Sequence, residues 1–468
     1  MKKTMQRSDR SAMLRDMPMG RLVPKVSLPI MASMLVQAMY NVVDSVYVSR
    51  HDPNELTGVS LAYPIQMLMI ALSVGMGIGV NSLISRQLGA GEKENARRTA
   101  WNGIFIELAG ALMFFIVGAT LTKAFMGVLV SDTLNDAALI RDMGSTYLSI
   151  VTMGSLGVFM AVCLERMLQS TGNTVMSMVT QMSGAVTNIV LDPLLIFGTP
   201  ALGIPEMGVA GAAAATVIGQ WVSMIVGFIL NQVKNKELFL RFSECRADIR
   251  TLRGIVAVGL PSTVMQAIGS VMNIGMNGIL SSFPGQGNDA VNVLNIYFKL
   301  QSFVFMPVFG LGSGVVAIVG YNYGARLKER VYGCLKTALK WAVCIMAAGT
   351  VIFMVFPLQL MSLFESGEAE TSGMVAIGVT AMRTISVHFV VAAVGITLSN
   401  SFQAVGRGVY SLIISLCRQL IVLLPAAWLL SRISLDAIWW SFLIAEAVSM
   451  TLSLIFFRKL DRETISRM

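Results

Sequence analysis

Residues 66–94 read QMLMIALSVGMGIGVNSLISRQLGAGEKE, and residues 301–329 read QSFVFMPVFGLGSGVVAIVGYNYGARLKE. Gln66 recurs as Gln301, and Gly75, Gly77 and Gly79 recur as Gly310, Gly312 and Gly314. Gly89-Ala90 with Lys93-Glu94 recurs as Gly324-Ala325 with Lys328-Glu329, all at one offset. Each copy is an apolar run closed by a glycine and a basic turn, which reads as a membrane-crossing helix and its polar exit. A chain that carries the same span and turn twice is an internal repeat. The glycine triplet is not a nucleotide loop, because it lies inside an apolar span without a flanking βαβ unit. Close helix packing explains it.

The rest of the chain extends this reading. Of 468 residues, 55% are apolar and 13% charged, whereas a soluble domain carries roughly a quarter charged residues. Apolar windows near 22–48, 58–84, 97–121, 146–168, 174–198 and 208–232 are followed by a second set near 256–283, 291–319, 332–356, 373–403, 408–431 and 436–457. Segment 133–145 reads as an amphipathic extension of the fourth. The expected fold is an all-α integral membrane protein of twelve transmembrane helices in two pseudo-symmetric six-helix bundles. It divides into a basic tail (1–21), a first bundle (22–232), a polar linker (233–254), a second bundle (255–457) and a tail (458–468).

The net charge of +9 is a topology signal and not a nucleic-acid footprint. Lys and Arg cluster before the first span (Lys2, Lys3, Arg7, Arg10, Arg15), after the second (Arg86, Lys93, Arg97, Arg98), in the linker (Lys234, Lys236, Arg246) and in the tail (Arg458, Lys459). The alternate connections hold only Arg50, Lys123, Arg141 and Arg432, and the segment 358–372 has Glu365, Glu368 and Glu370 with no base. The positive-inside rule then places both termini and the linker in the cytoplasm. Five cysteines without metal-type spacing exclude a disulfide framework. With His51 and His388 as the two histidines, no nucleophile, His/Asp pair or metal cluster supports an enzyme. The 33 methionines are mostly core filling.

Ionisable residues inside spans are the functional pointers, since each is costly in lipid. Asp44 shares a helical stripe with Gln37, Tyr40, Asn41 and Tyr47. Asp192 follows Asn188 by one turn, and Pro193 frees the Ile189 carbonyl. Acid, amide and freed carbonyl suit a proton or a sodium ion. In the second half, alignment on Gln266 puts Asn273 opposite Asp44. Lys299, Arg383, His388 and Arg418 make that half's interior basic; their candidate partners are Glu446, helix carbonyls or an anionic part of a substrate. Glu165-Arg166 reads as a local gate or packing pair, and Glu107 as a structural or a cavity acid.

The chain resembles the multidrug and toxic compound extrusion (MATE) transporters of the multidrug/oligosaccharidyl-lipid/polysaccharide flippase superfamily. The resemblance is carried by QAMYNVVD (37–44), RQLGAGEK (86–93), NIVLDP (188–193), the segment from Gly208 to Thr216, and GYNYGA (320–325), and it covers nearly the whole chain. It implies a V of two bundles that rock to expose a cavity to each side in turn. It also implies an ion-coupling site at Asp44, Asp192, Asn188 and Thr216, taking H+ or Na+. Cavity candidates are Gln37, Tyr40, Asn41, Tyr47, Asn273, Lys299, Arg383 and His388, with hinges at Pro29 and Pro193. The expected function is secondary antiport of small organic compounds, drugs or toxic metabolites, across a bacterial inner membrane, by a monomer without a cofactor and without nucleic acid. The alternatives are a lipid-linked sugar flippase and an exporter of an anionic metabolite.

Overall fold

The computed structural model describes residues 10–51, 53–130, 136–200, 203–241, 244–362 and 372–468. Lys2, Lys3, Arg7, Glu365, Glu368 and Glu370 lie outside the described residues, as do the side chains of Arg10, Asn41 and Arg50. Among the described residues ten helices are long and apolar enough to cross a membrane, and two bent pairs, each taken as one span, bring the number to twelve.

The first bundle holds α1 (Met19–His51), α2 (Pro53–Gly89), α3 (Lys93–Thr120), α4 (Ala137–Met153 with Leu156–Ser170), α5 (Thr174–Ile196) and α6 (Gly208–Lys234). The second holds α7 (Ile249–Ser281), α8 (Gly287–Gly324), α9 (Lys328–Val355), α10 (Ser372–Ser386 with His388–Ala404), α11 (Gly408–Leu430) and α12 (Trp440–Leu460). Burial is inverted relative to a soluble protein. Leu112 and Ile116 on α3, Ile225 and Ile229 on α6, and Val351 and Val355 on α9 are each more than half exposed at one-turn spacing, which makes a face for lipid. Glu107, Asn102 and Asp192 are fully or almost fully buried.

The two bent spans have local causes. α4 turns by 45° at Gly154-Ser155, a small pair that leaves the helix easily kinked, where the Ser155 hydroxyl donates to the Ala111 carbonyl at 3.1 Å. The described part of segment 133–145 forms the first arm of this span, because helix begins at Ala137. α10 turns by 46° at Val387, where the His388 ring engages the Ile385 carbonyl.

Gly75, Gly79 and Gly89 of the duplicated stretch, with their counterparts Gly310, Gly314 and Gly324, lie where the bundles touch, whereas Gly77 and Gly312 pack within their own bundles. α2 packs on α7, and α8 packs on α1. A Cβ on Gly75 would stand 2.5 Å from the Thr263 nitrogen, and one on Gly310 would stand 2.7 Å from the Met31 Cα, so neither helix pair admits a side chain at this approach. The ends of α2 and α8 then cross, Gly89 against Tyr321 and Gly324 against Arg86. These contacts close the face of the molecule that bears both termini.

That face is also strapped from outside. Leu14 is buried, and its carbonyl accepts from Asn322 at 3.1 Å and from Arg330 at 2.9 Å, both on the second bundle. The same leucine faces Gly172 on the first bundle. The expected linker is not a free tether. Leu238 and Leu240 are buried, Arg97 pairs with Glu244 at 2.9 Å, and Trp101 and Asn102 of α3 hydrogen-bond to the Arg241 and Arg246 carbonyls. Asp248 caps α7 through the amides of Arg250 and Thr251. At the opposite face His51 bridges two carboxylates, Glu55 at 2.9 Å and Glu206 at 2.8 Å, and so ties the ends of α1, α2 and the connection before α6.

Candidate functional site

α1 and α5 pack side by side, and α5 packs on α6. On α1 the stripe Gln37, Tyr40, Asp44 and Tyr47 is half-buried, as helical spacing requires of a face turned toward neighbouring helices. Gln37 Oε1 accepts from Gln181 of α5 at 2.6 Å, and the Tyr47 ring meets Phe197 edge-on at 6.4 Å. On α5 the Asn188 amide donates to Asp192 Oδ1 at 3.1 Å and to Thr216 Oγ1 of α6 at 3.4 Å. Asp44 and Asp192 are close enough for their charges to interact, and both act on Tyr40 and Tyr147.

The unmet hydrogen-bonding capacity is all of one kind. Asp44 Oδ1, Asp192 Oδ2 and Asn188 Oδ1 are buried and have no partner among the described residues. Each is an acceptor, and an isolated buried carboxylate is costly. A cluster of acceptors without donors can take up a proton on a carboxylate or hold a hard cation through its oxygens. Pro29 and Pro193 lie inside continuous helices, each removing one backbone donor.

The MatE family model matches residues 29–194 and 261–429, one stretch in each bundle. The chain belongs to the MatE family. It is 26% identical over 444 residues to the multidrug export protein MepA of Staphylococcus saprophyticus, covering 94% of both chains. It is 24% identical over 437 residues to the probable multidrug resistance protein NorM of Thermotoga maritima, covering 92% of this chain and 91% of that one. A crystal structure of MATE in complex with MaL6 superposes with a TM-score of 0.90 at 25% identity, covering 98% of this chain and 100% of the other. The outward-facing conformation of a multidrug resistance MATE family transporter of the MOP superfamily superposes at 0.89, also 25% identical, covering 98% and 99%.

Within this MatE chain the sequence-derived site residues fall into two groups. Asp44, Asn188, Asp192 and Thr216 come together in the first bundle with Gln37, Tyr40 and Tyr47 around them. In the second bundle Asn273 presents a buried, unpartnered Oδ1, and His388 is buried among Phe305, Phe389 and Phe442. Lys299 and Arg383 are exposed and lie outside the cavity that His388 lines. Arg383 donates to the Met354 carbonyl at the end of α9, a backbone acceptor left free by helix termination. Arg418 pairs with Glu446 at 3.3 Å. Arg166 reaches out of its own bundle, donating to Gln169 at 2.9 Å and to Ser313 of α8 at 3.1 Å. Glu107 is fully buried beside Ser73 and Arg166, which makes it an interior acid.

Sequence reasoning missed three polar residues, Tyr147, Gln66 and Gln181, on the helices around the site. Tyr147 donates to Gln66 at 3.4 Å, and Gln181 holds Gln37. Tyr147 belongs to the first arm of bent α4, where an amphipathic segment gave no cue to its partner. Gln66 stood out only as a repeat marker.

Proposed function

We propose that this MatE-family chain is a secondary antiporter that exports small organic compounds in exchange for H+ or Na+, and that Asp44 and Asp192 form its coupling unit with Asn188 and Thr216. The observation that carries the reading is the set of buried acceptor oxygens on Asp44, Asn188 and Asp192 with no donor among the described residues. Such a set is stable only when an ion or proton joins it, so occupancy and conformation become linked. The relatives named for multidrug export support the direction and the class of cargo.

The basic clusters on the closed face support a cytoplasmic placement of that face and of both termini, and the bacterial relatives support an inner membrane. The bundles divide at the docked linker 233–254, and Pro29 and Pro193 serve as hinges. With the cytoplasmic face closed by the Gly89 and Gly324 crossing, the chain stands in the outward-open phase of its cycle, in keeping with its likeness to an outward-facing relative. The unit of transport is one chain and needs no cofactor, in keeping with both lobes of the site region lying in a single polypeptide. A second reading, export of an anionic compound, is favoured by Arg418 beside a cavity of the second bundle.

Proteoliposomes loaded with the purified protein test the proposal. An imposed pH or sodium gradient should drive accumulation of a fluorescent organic probe such as ethidium. Labelled-probe exchange without net flux should persist when the gradient is collapsed. Transport indifferent to both gradients would contradict antiport.

A further inference from the structure

The duplication that places acids in the first bundle has a counterpart of different chemistry in the second. The acids of the first bundle lie on its first and fifth helices, with Thr216 on the sixth. The matching helices α7, α11 and α12 of the second bundle, with α8 and α10, enclose a cavity of 260 Å³. We infer that this cavity binds a small aromatic anion, with Arg418 holding the anionic group and Glu446 competing for the same guanidinium. The inference deepens the second reading above and is independent of how the first bundle couples to ions.

The backbone explains why an arginine faces this space. Pro425 lacks an amide hydrogen and crowds the carbonyl one turn earlier, and residues Cys417–Leu423 just before it are wound as π-helix. The widened turn brings Arg418, Gln419 and Leu423 together on the cavity wall. Insertions of this kind recur at functional sites because they disturb an otherwise regular span.

The ion pair is asymmetric in a way that selects the ligand's sign. Both partners line the cavity, but Glu446 is 5% exposed whereas the Arg418 side chain is 35% exposed. The contact of 3.3 Å is long beside the roughly 2.7–2.9 Å of a tight charge-assisted bond. Among the described residues it is the one hydrogen bond of Arg418, out of five N–H donors in its fork. The guanidinium therefore offers a planar, bidentate face to the cavity, matched to a carboxylate or similar anion. Glu446 also lines the cavity, but its carboxylate is 5% exposed and engaged by Arg418, so a cationic ligand would first have to displace the guanidinium.

The remaining wall sets the body of the ligand. Phe298, Phe305, Phe309 and Phe442 line the space, with Met272 and Met306 as adaptable filling. A dry apolar cavity of about 150 Å³ takes a benzene ring, so 260 Å³ admits an aromatic body of one or two rings. His388 also lines the cavity, with its Nδ1 donating to the Ile385 carbonyl.

The test is equilibrium binding to the purified full-length protein in phosphatidylcholine nanodiscs, with no gradient. The probes are 2-naphthoate and its cationic analogue 2-naphthylmethylammonium. Saturable binding of 2-naphthoate is expected, with the cation at least tenfold weaker. Arg418→Gln should weaken naphthoate at least tenfold. Glu446→Gln should tighten it several-fold, because the competing charge is gone and the shape is kept. Ser302→Trp, which fills the cavity without touching the ion pair, should abolish binding even if Arg418→Gln proves unstable. Because binding is read at equilibrium with no gradient, failure of the ion-coupling reading stays separate from failure of this one, and Cys344→Ser, exposed on α9 and outside both sites, should bind as the parent does. Preference for the cation, weaker binding in Glu446→Gln, or unchanged binding in Ser302→Trp would each overturn the assignment.

Discussion

Replacing Gly89 by alanine should open the termini-bearing face. The added Cβ would lie 2.7 Å from the Tyr321 carbonyl carbon and 3.0 Å from the Ala325 nitrogen, where ordinary contact begins at 3.4 Å. Gly324→Ala makes the mirror-image clash, 2.8 Å from the Arg86 carbonyl carbon. In both cases the obstacle is backbone, which cannot rotate aside, and the Tyr321 and Arg86 carbonyl oxygens lie nearer than their carbons, so α2 and α8 must separate by more than about 0.7 Å at the crossing. Overpacking of this kind costs about 1–3 kcal/mol. The cost falls only on the state in which the helices cross, so the ratio of open to closed at this face should rise roughly 5- to 150-fold. The double variant should add little, because one separation relieves both clashes. Spin labels at Glu92→Cys and Lys336→Cys, on the two bundles, would read the change as a new long-distance population in the double electron-electron resonance trace. Unchanged distances in both single variants, with the fold intact, would refute the claim that this crossing holds the face shut.

Three further outcomes follow from the structure. Cys245, in the docked linker and partly exposed, should react with a membrane-impermeant maleimide only in inside-out vesicles. Reaction in intact cells would reverse the orientation. Burial lowers the affinity of His51 for its proton, but hydrogen bonds and charge from Glu206 and Glu55 outweigh it and raise the pKa above the ordinary 6.5. The extra thermal stability of the parent over His51→Gln should thus be full below the ordinary 6.5 and shrink as pH rises through the raised value; a difference that grows with pH would contradict the bridge. Asn273→Ala should keep ion dependence and alter substrate affinity at most, and loss of pH or sodium dependence would move coupling into the second bundle.

The parts of the fold legible in the sequence were those written as periodicity. Lipid tolerates few charges, so span positions stood out, and most of the repeated glycines, Gly77 and Gly312 excepted, marked the surface on which the bundles meet. Spans were harder to bound where helix continues beyond the apolar window, as at Ala137 and Lys234, because hydropathy has no signal for a polar helical turn. The docked linker and the Leu14 strap rest on tertiary contacts between distant residues, which composition does not encode. In the site, Asp44 and Asp192 were visible because buried acids are rare in spans. Tyr147 and Gln181 were not, since an uncharged polar residue in a span is common and gains meaning only from its partner. Arg418 was visible as a charge, whereas its placement on a cavity depends on the π-helical turn before Pro425.

The central claim is that Asp44 and Asp192 act as one ion-coupling unit. Its direct measurement is gradient-driven transport in proteoliposomes by the parent, Asp44→Asn, Asp192→Asn and the double variant, beside thermal stability in the same preparations. Asp44→Asn imitates the protonated carboxyl, so it should fold and bind yet lose the response to the gradient. Each single loss should abolish coupled transport almost as completely as the double, the non-additivity expected of groups that share one ion. Gradient-driven export that survives in both single variants would contradict the account, because an obligatory shared site tolerates neither loss.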